Sequence, residues 1–305
     1  MLTKLPLKSL LFIAVFGVWT VHAQSPDSLV LNVTVTNEKG MLSRGLSLES
    51  FAVTVDKQPQ KILSLSDQEV PASIGILIDD SGSQYVAPSD GLSLPSKLRP
   101  ALARFLKLSN PANEYFVVTF NSKVQLVQDW TTNPQAVIDT LDSLKFKKLT
   151  ALYDAMTLAL DKVKTGRNSK RVLVLITDGS DTNSTRSGFK DVRDKLKASD
   201  VVLYCVGANV SLYPASESRN FTDDVKKLGE LSVASGGRAF FTKNMSEPMT
   251  SNRVFELIAL ELRAHYQLVI APEHDDAKAK FRKIKIEAKQ GTERLTARTR
   301  LWYYR

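Results

Sequence analysis

Two short stretches carry side chains suited to chemistry. In "IGILIDDSGS" (74–83) an apolar run ends in Asp79 and Asp80, followed by Ser81 and Ser83 at a spacing of two. In "LVLITDGSDT" (173–182) a second apolar run ends at Asp178. Between them, "LTALYDAM" (149–156) sets Thr150 at the start of a helical pattern. Asp79, Ser81, Ser83, Thr150 and Asp178 form an all-oxygen set with no histidine or cysteine among them. Such hard donors suit Mg²⁺, with Mn²⁺ or Ca²⁺ as alternatives, and do not suit zinc or copper. Two carboxylates and three hydroxyls cannot enclose such an ion, so water or a partner must complete its shell.

These residues need a frame. Apolar runs of this length read as buried strands, and from Ser73 onward strands alternate with helices. Strands are predicted at 73–79, 115–120, 171–177, 201–206 and 238–242, and helices near 94–108, 133–144, 150–165, 186–198, 221–235 and 251–264. The alternation predicts an α/β fold, a mainly parallel central sheet sandwiched by helices. In such a sheet ligands bind beyond the carboxyl ends of the strands, where Asp79 and Asp178 fall. Residues 121–130 add an antiparallel edge strand.

Both ends of the chain read as β structure. "LVLNVTVTN" alternates apolar and polar residues. "FAVTVD" (51–56) and "KILSLS" (61–66) follow, with "DKQPQ" as a hairpin connection. After the helix at 251–264, Ile284 and Ile286 alternate with lysines. A few strands at each end cannot bury a face alone, so the termini are expected to build one small β module together. The domain plan is 24–71 for the N-terminal β segment, 72–245 for the α/β domain, and 246–305 for a C-terminal helix and strands that pack with the N-terminal segment.

Residues 1–23 are expected to be a signal peptide. Lys4 and Lys8 precede the apolar "LLFIAVFGVW", and "VHA" supplies a small residue at the cleavage position. The protein is therefore expected to be exported, periplasmic or extracellular, with no transmembrane segment after cleavage. Export permits disulfides, but Cys205 is the single cysteine and reads as a buried small hydrophobe. With 41 Lys and Arg against 32 Asp and Glu the chain carries +9, and without Lys4 and Lys8 it carries +7. The basic residues are scattered apart from "KFKKL" (145–149), which argues against nucleic acid as a partner.

The ordered pattern Asp79-x-Ser81-x-Ser83, Thr150, Asp178 resembles the metal-ion-dependent adhesion site of von Willebrand factor type A domains, over residues 72–245. The flanks "TNEKGMLSRGLSLESFAVTVDKQPQKI" and "LRAHYQLVIAPEHDDAKAKFRKIKIEAK" resemble the bacterial von Willebrand factor A-related family first noted in acidobacteria. The resemblance implies that Ser81 and Ser83 ligate the ion directly and Thr150 directly or through water. Asp79 and Asp178 would act mainly through water and hydrogen bonds, and the open position would take an Asp or Glu side chain of a partner protein. Where the family often has glycines before the threonine, this chain has Lys147-Lys148-Leu149, bulkier residues that set positive charge along the path of an acidic ligand.

The leading reading is thus a non-enzymatic, metal-dependent protein-binding module of the adhesion type. A Mg²⁺-dependent phosphohydrolase is the alternative. It would want a basic clamp after a later strand, and none is found; a nucleophile elbow and a phosphate loop are missing too. A structural envelope protein with a degenerate site is the third reading. Of the remaining polar residues, Asp80 reads as a solvated loop residue and His265 and His274 as surface residues. Asp181 and Thr182 are either supports of the site or turn formers, and Trp302 to Tyr304 form a packed terminal strand.

Overall fold

The computed structural model describes residues 28–82, 94–145, 149–207, 218–241, 251–272 and 281–304. The predicted signal peptide lies outside them, as do Ser83, Lys147, Lys148 and His274. Strand β1 (Leu29–Thr36) opens the chain, followed by β2 (Phe51–Val55), β3 (Gln58–Gln60) and β4 (Ile62–Ser66). The α/β part runs β5 (Ala72–Asp79), α1 (Leu94–Leu108), β6 (Glu114–Phe120), β7 (Val124–Thr131), α2 (Pro134–Asp139), α3 (Leu152–Lys162), β8 (Lys170–Thr177), α4 (Phe189–Lys197), β9 (Val202–Gly207), α5 (Ser218–Ala234), β10 (Arg238–Phe240) and α6 (Ser251–Arg263). The chain returns to β structure with β11 (Tyr266–Ile270), β12 (Phe281–Gln290), β13 (Glu293–Arg298) and β14 (Trp302–Tyr304).

The central sheet has the order β10-β9-β8-β5-β6-β7, parallel except for the edge strand β7. Every residue of β5 and β6 is buried, as expected of strands covered on both faces. Ile74, Ile76 and Ile78 of β5 face a core completed by α1, α2 and α6, whereas Leu77 faces one completed by α3, α4 and α5. Gly75 is required by a close approach. A Cβ there would stand 2.3 Å from the Phe116 ring, which packs edge-on against Trp130 at 4.8 Å.

The predicted helix at 133–144 divides. Asn133 accepts the Gln135 N–H at 3.0 Å, and α2 ends at Asp139, where a 3₁₀ turn over Thr140–Ser143 takes over. Helix α6, grouped with the terminal strands in the sequence plan, packs instead on the α/β domain through Val254, Phe255, Ile258 and Leu262.

The terminal segments form one antiparallel sheet in the order β3-β2-β12-β13-β1-β11-β4, with β14 also pairing β12. Its core includes Leu31, Val33, Phe51, Val53, Tyr266, Leu268 and Ile284. The predicted hairpin is corrected in its partners. β2 turns through Asp56 and Lys57, both at positive φ (48° and 72°), into β3. β4 crosses to the far end of the sheet and pairs β11. The strained turn is held from outside, for Asp56 accepts the Lys283 N–H at 2.8 Å and pairs with buried Arg282 at 2.7 Å.

Candidate metal centre

β5 is the first strand of the sheet, and the chain then builds β6 on one side of it and β8 on the other. The strand order therefore reverses at β5, and crevices at such reversals are where open α/β sheets bind ligands. Asp79 is the last residue of β5, and Asp178 follows the last residue of β8. Both are fully buried.

Asp79 is held by hydrogen bonds from Ser81 and Thr177. Its Oδ1 accepts the Ser81 N–H at 3.0 Å, and its Oδ2 accepts the Thr177 hydroxyl at 2.7 Å. Burial, and then the charge of Asp178, push its carboxyl up to about 7, although the bonds from Ser81 and Thr177 oppose the rise. Beyond Asp178 the chain turns at Gly179 with φ of 105°, a conformation that L side chains rarely adopt. That turn lets Asp178 Oδ1 accept the Ser180 N–H at 3.1 Å.

Thr150, 3 % exposed, is fixed to the same edge by its backbone. Its N–H donates to the Thr182 hydroxyl, and its carbonyl accepts the N–H groups of Thr182 and Asn183, all at 2.9 Å. The next residue, Ala151, donates to the Asn121 carbonyl just past β6 at 2.8 Å. Ala151 supplies no side-chain cap to α3. Asp181 does so from the loop after β8, accepting the Leu152 N–H at 2.8 Å and the Ser184 hydroxyl at 2.6 Å. Asp181 and Thr182 both shape the loop; Asp181 caps α3, and Thr182 fixes the Thr150 backbone.

The structure thus brings Asp79, Ser81, Thr150 and Asp178 to one sheet edge; Ser83 lies outside the described residues. Asp80 is corrected: it is 2 % exposed, and its Oδ2 accepts the Lys145 N–H at 3.1 Å. It is pinned by the chain that leads toward Thr150. Leu149 is 44 % exposed and stands beside Thr150 as an apolar rim. Among the described residues no group of three or more His, Cys, Asp or Glu is placed to hold an ion, so an ion here must draw on hydroxyls. The residues fit one. Burial and the charge of Asp178 raise the proton affinity of Asp79, which calls for a positive charge there, and the hydroxyls of Ser81 and Thr150 are hard donors.

His265 is also corrected from surface to core. It is 5 % exposed, and burial followed by the charges of Lys170 and Arg298 holds it well below its usual range. Cys205 is buried as expected, its thiol pushed up to about 12 by burial.

Residues 74–180 match the family model of the von Willebrand factor type A domain. A von Willebrand factor type A protein from Catenulispora acidiphila superposes with a TM-score of 0.50 at 13% identity, covering 94% of this chain and 75% of that one. An aerotolerance-related membrane protein from Bacteroides fragilis, carrying multiple mutations to serines, gives 0.47 at 18% identity over 63% of this chain and 98% of its own. The minor pilin PilB of Streptococcus sanguinis gives 0.46 at 12% identity over 65% and 63%. No curated protein matches the chain. The chain carries a von Willebrand factor type A domain, a protein-interaction module, with a β module built from its two ends. No helix among the described residues is long and apolar enough to cross a membrane.

Proposed function

We propose that the protein is an exported, non-catalytic binding module that holds a divalent cation, Mg²⁺ by preference, and through it an Asp or Glu side chain of a partner protein. The observation that carries this reading is the pair of fully buried carboxylates, Asp79 and Asp178, ending two strands beside the reversal of strand order. Ser81, Ser83 and Thr150 are assigned as hydroxyl ligands, and Asp79 and Asp178 as acceptors for the water around the ion. The bound cation supplies an electrophilic position that a carboxylate can fill. The chain's own part is to hold the oxygens in place, which the bond from the Thr177 hydroxyl to Asp79 and the bonds that Thr150 makes with Thr182 and receives from the Asn183 N–H support.

The test is capture from the envelope and secreted fractions of the source cells, in Mg²⁺ and in excess EDTA. A protein retained in Mg²⁺ and released by chelator is expected, whereas identical capture under both conditions overturns the metal reading. Hydrolysis of p-nitrophenyl phosphate in Mg²⁺ is expected to stay at background.

A further inference from the structure

A cleft of about 600 Å³ opens next to the metal edge. Its walls are the β6–β7 turn, one face of α3 and the loop after Asp178, the same loop that fixes Thr150. Along α3 it runs from Ala151 to Asp161, roughly 15 Å at the helical rise per residue. That is the length of about four or five residues of extended chain.

The acids of this cleft are already engaged. Asp154 accepts the N–H groups of Thr185, Arg186 and Ser187 at 2.8 to 3.1 Å. Asp161 pairs with Lys195 at 2.5 Å and with Lys164 at 3.7 Å. The bases are not. Lys123 and Arg186, both exposed, line the cleft, and neither side chain forms an ion pair among the described residues. Between them Leu158, 37 % exposed, and Val124 supply apolar surface. The cleft's two acids and two bases balance in number, but the acids are engaged within the protein, so the cleft offers two unengaged cationic side chains over an apolar strip, continuous with the edge where a partner carboxylate is proposed to bind.

Resting on that reading, we propose that the cleft receives the residues flanking the metal-bound carboxylate. The partner segment is then an extended acidic peptide with a second Asp or Glu and an apolar side chain within about four or five positions of the first. The metal fixes one carboxylate, Lys123 and Arg186 attract the second, and Leu158 covers the apolar residue. Charge complementarity of this kind selects partners and speeds association.

A displayed library of random twelve-residue peptides, selected on the full chain in Mg²⁺, provides the probe. Selected peptides are expected to combine two acids and an apolar residue within that spacing. A synthetic peptide from the selection should bind Lys123→Glu/Arg186→Glu, and separately Leu158→Asp, on the order of tenfold more weakly than wild type. Peptides lacking an acidic excess, an empty selection, or affinities unchanged in both variants would overturn the cleft proposal. Binding lost in EDTA but indifferent to the cleft variants overturns the cleft and leaves the metal reading standing. Binding that survives EDTA but falls in the variants keeps the cleft and overturns the metal reading.

Discussion

Asp79 sits where a metal-free protein is least comfortable. It is fully buried beside a second buried carboxylate, and the hydroxyl and amide donors of Ser81 and Thr177 offset only part of the cost. Replacing it with asparagine keeps the shape and removes the charge. Asp79→Asn is therefore expected to melt at a higher temperature than wild type in EDTA and to gain nothing from added Mg²⁺. Differential scanning calorimetry with and without the ion reads both effects. Lys170 poses the opposite problem. It is 2 % exposed, its ammonium donates to the Leu262 carbonyl, and burial, opposed by the charge of Glu69, drops it from 10.5 to about 7. Between those values the unfolded chain binds the proton and the folded chain does not, so stability rises with pH across that window and the penalty is complete below it. Lys170→Met should flatten the rise from pH 7 to pH 9 seen in urea unfolding, by up to a few kcal/mol.

At the scale of elements, the sheet and its order of strands and helices are legible in the sequence because they rest on local apolar runs. The strand at 72–79 and the helix at 94–108 fall where the pattern puts them. What the pattern does not carry is pairing at a distance. β4 reads as the partner of β2 but pairs β11, more than two hundred residues away in sequence, because either edge suits its weak alternation. The cap of α3 is another long-range device: Ala151 at the cap position has no side chain to give, and Asp181 reaches across from the next loop. Asp181→Ala should cost about 1 kcal/mol, the usual worth of a helix cap. By loosening the loop that fixes Thr150, it should also weaken Mg²⁺ binding. Chemical denaturation and calorimetric titration of the same variant measure the two losses.

In the whole molecule, the α/β domain and the β module meet over an ionic junction centred on one buried carboxylate. Glu261 of α6, 2 % exposed, accepts Arg238 of β10 at 3.0 Å, Arg298 of β13 at 2.7 Å and the Tyr204 hydroxyl of β9 at 3.2 Å. Nearby, half-buried Arg300 donates to the carbonyls of Ser199 in one part and Val30 in the other, both at 3.3 Å. Removing the buried carboxylate leaves Arg298 and the Tyr204 hydroxyl uncompensated, whereas the more exposed Arg238 can turn to water, at a cost of about 2–3 kcal/mol. Glu261→Ala should lose that much in equilibrium unfolding, with a smaller loss for Glu261→Gln, which retains the hydrogen-bond acceptor. The sequence could not announce this junction. Glu261, Arg298, Lys170 and His265 look like ordinary surface residues until strands from both chain ends enclose them. The candidate site was more legible, since its residues stand at the ends of local strand patterns, although those patterns do not announce the burial of Asp79 and Asp80.

The claim on which the functional account stands is that this edge binds a divalent cation. Isothermal titration of Mg²⁺ and Mn²⁺ into chelator-stripped wild type and Asp79→Asn, with both proteins shown to be folded by circular dichroism, tests it most directly. The account predicts saturable binding at one site in wild type and none in the variant. Absence of binding in folded wild type, or equal binding in the two proteins, would contradict it.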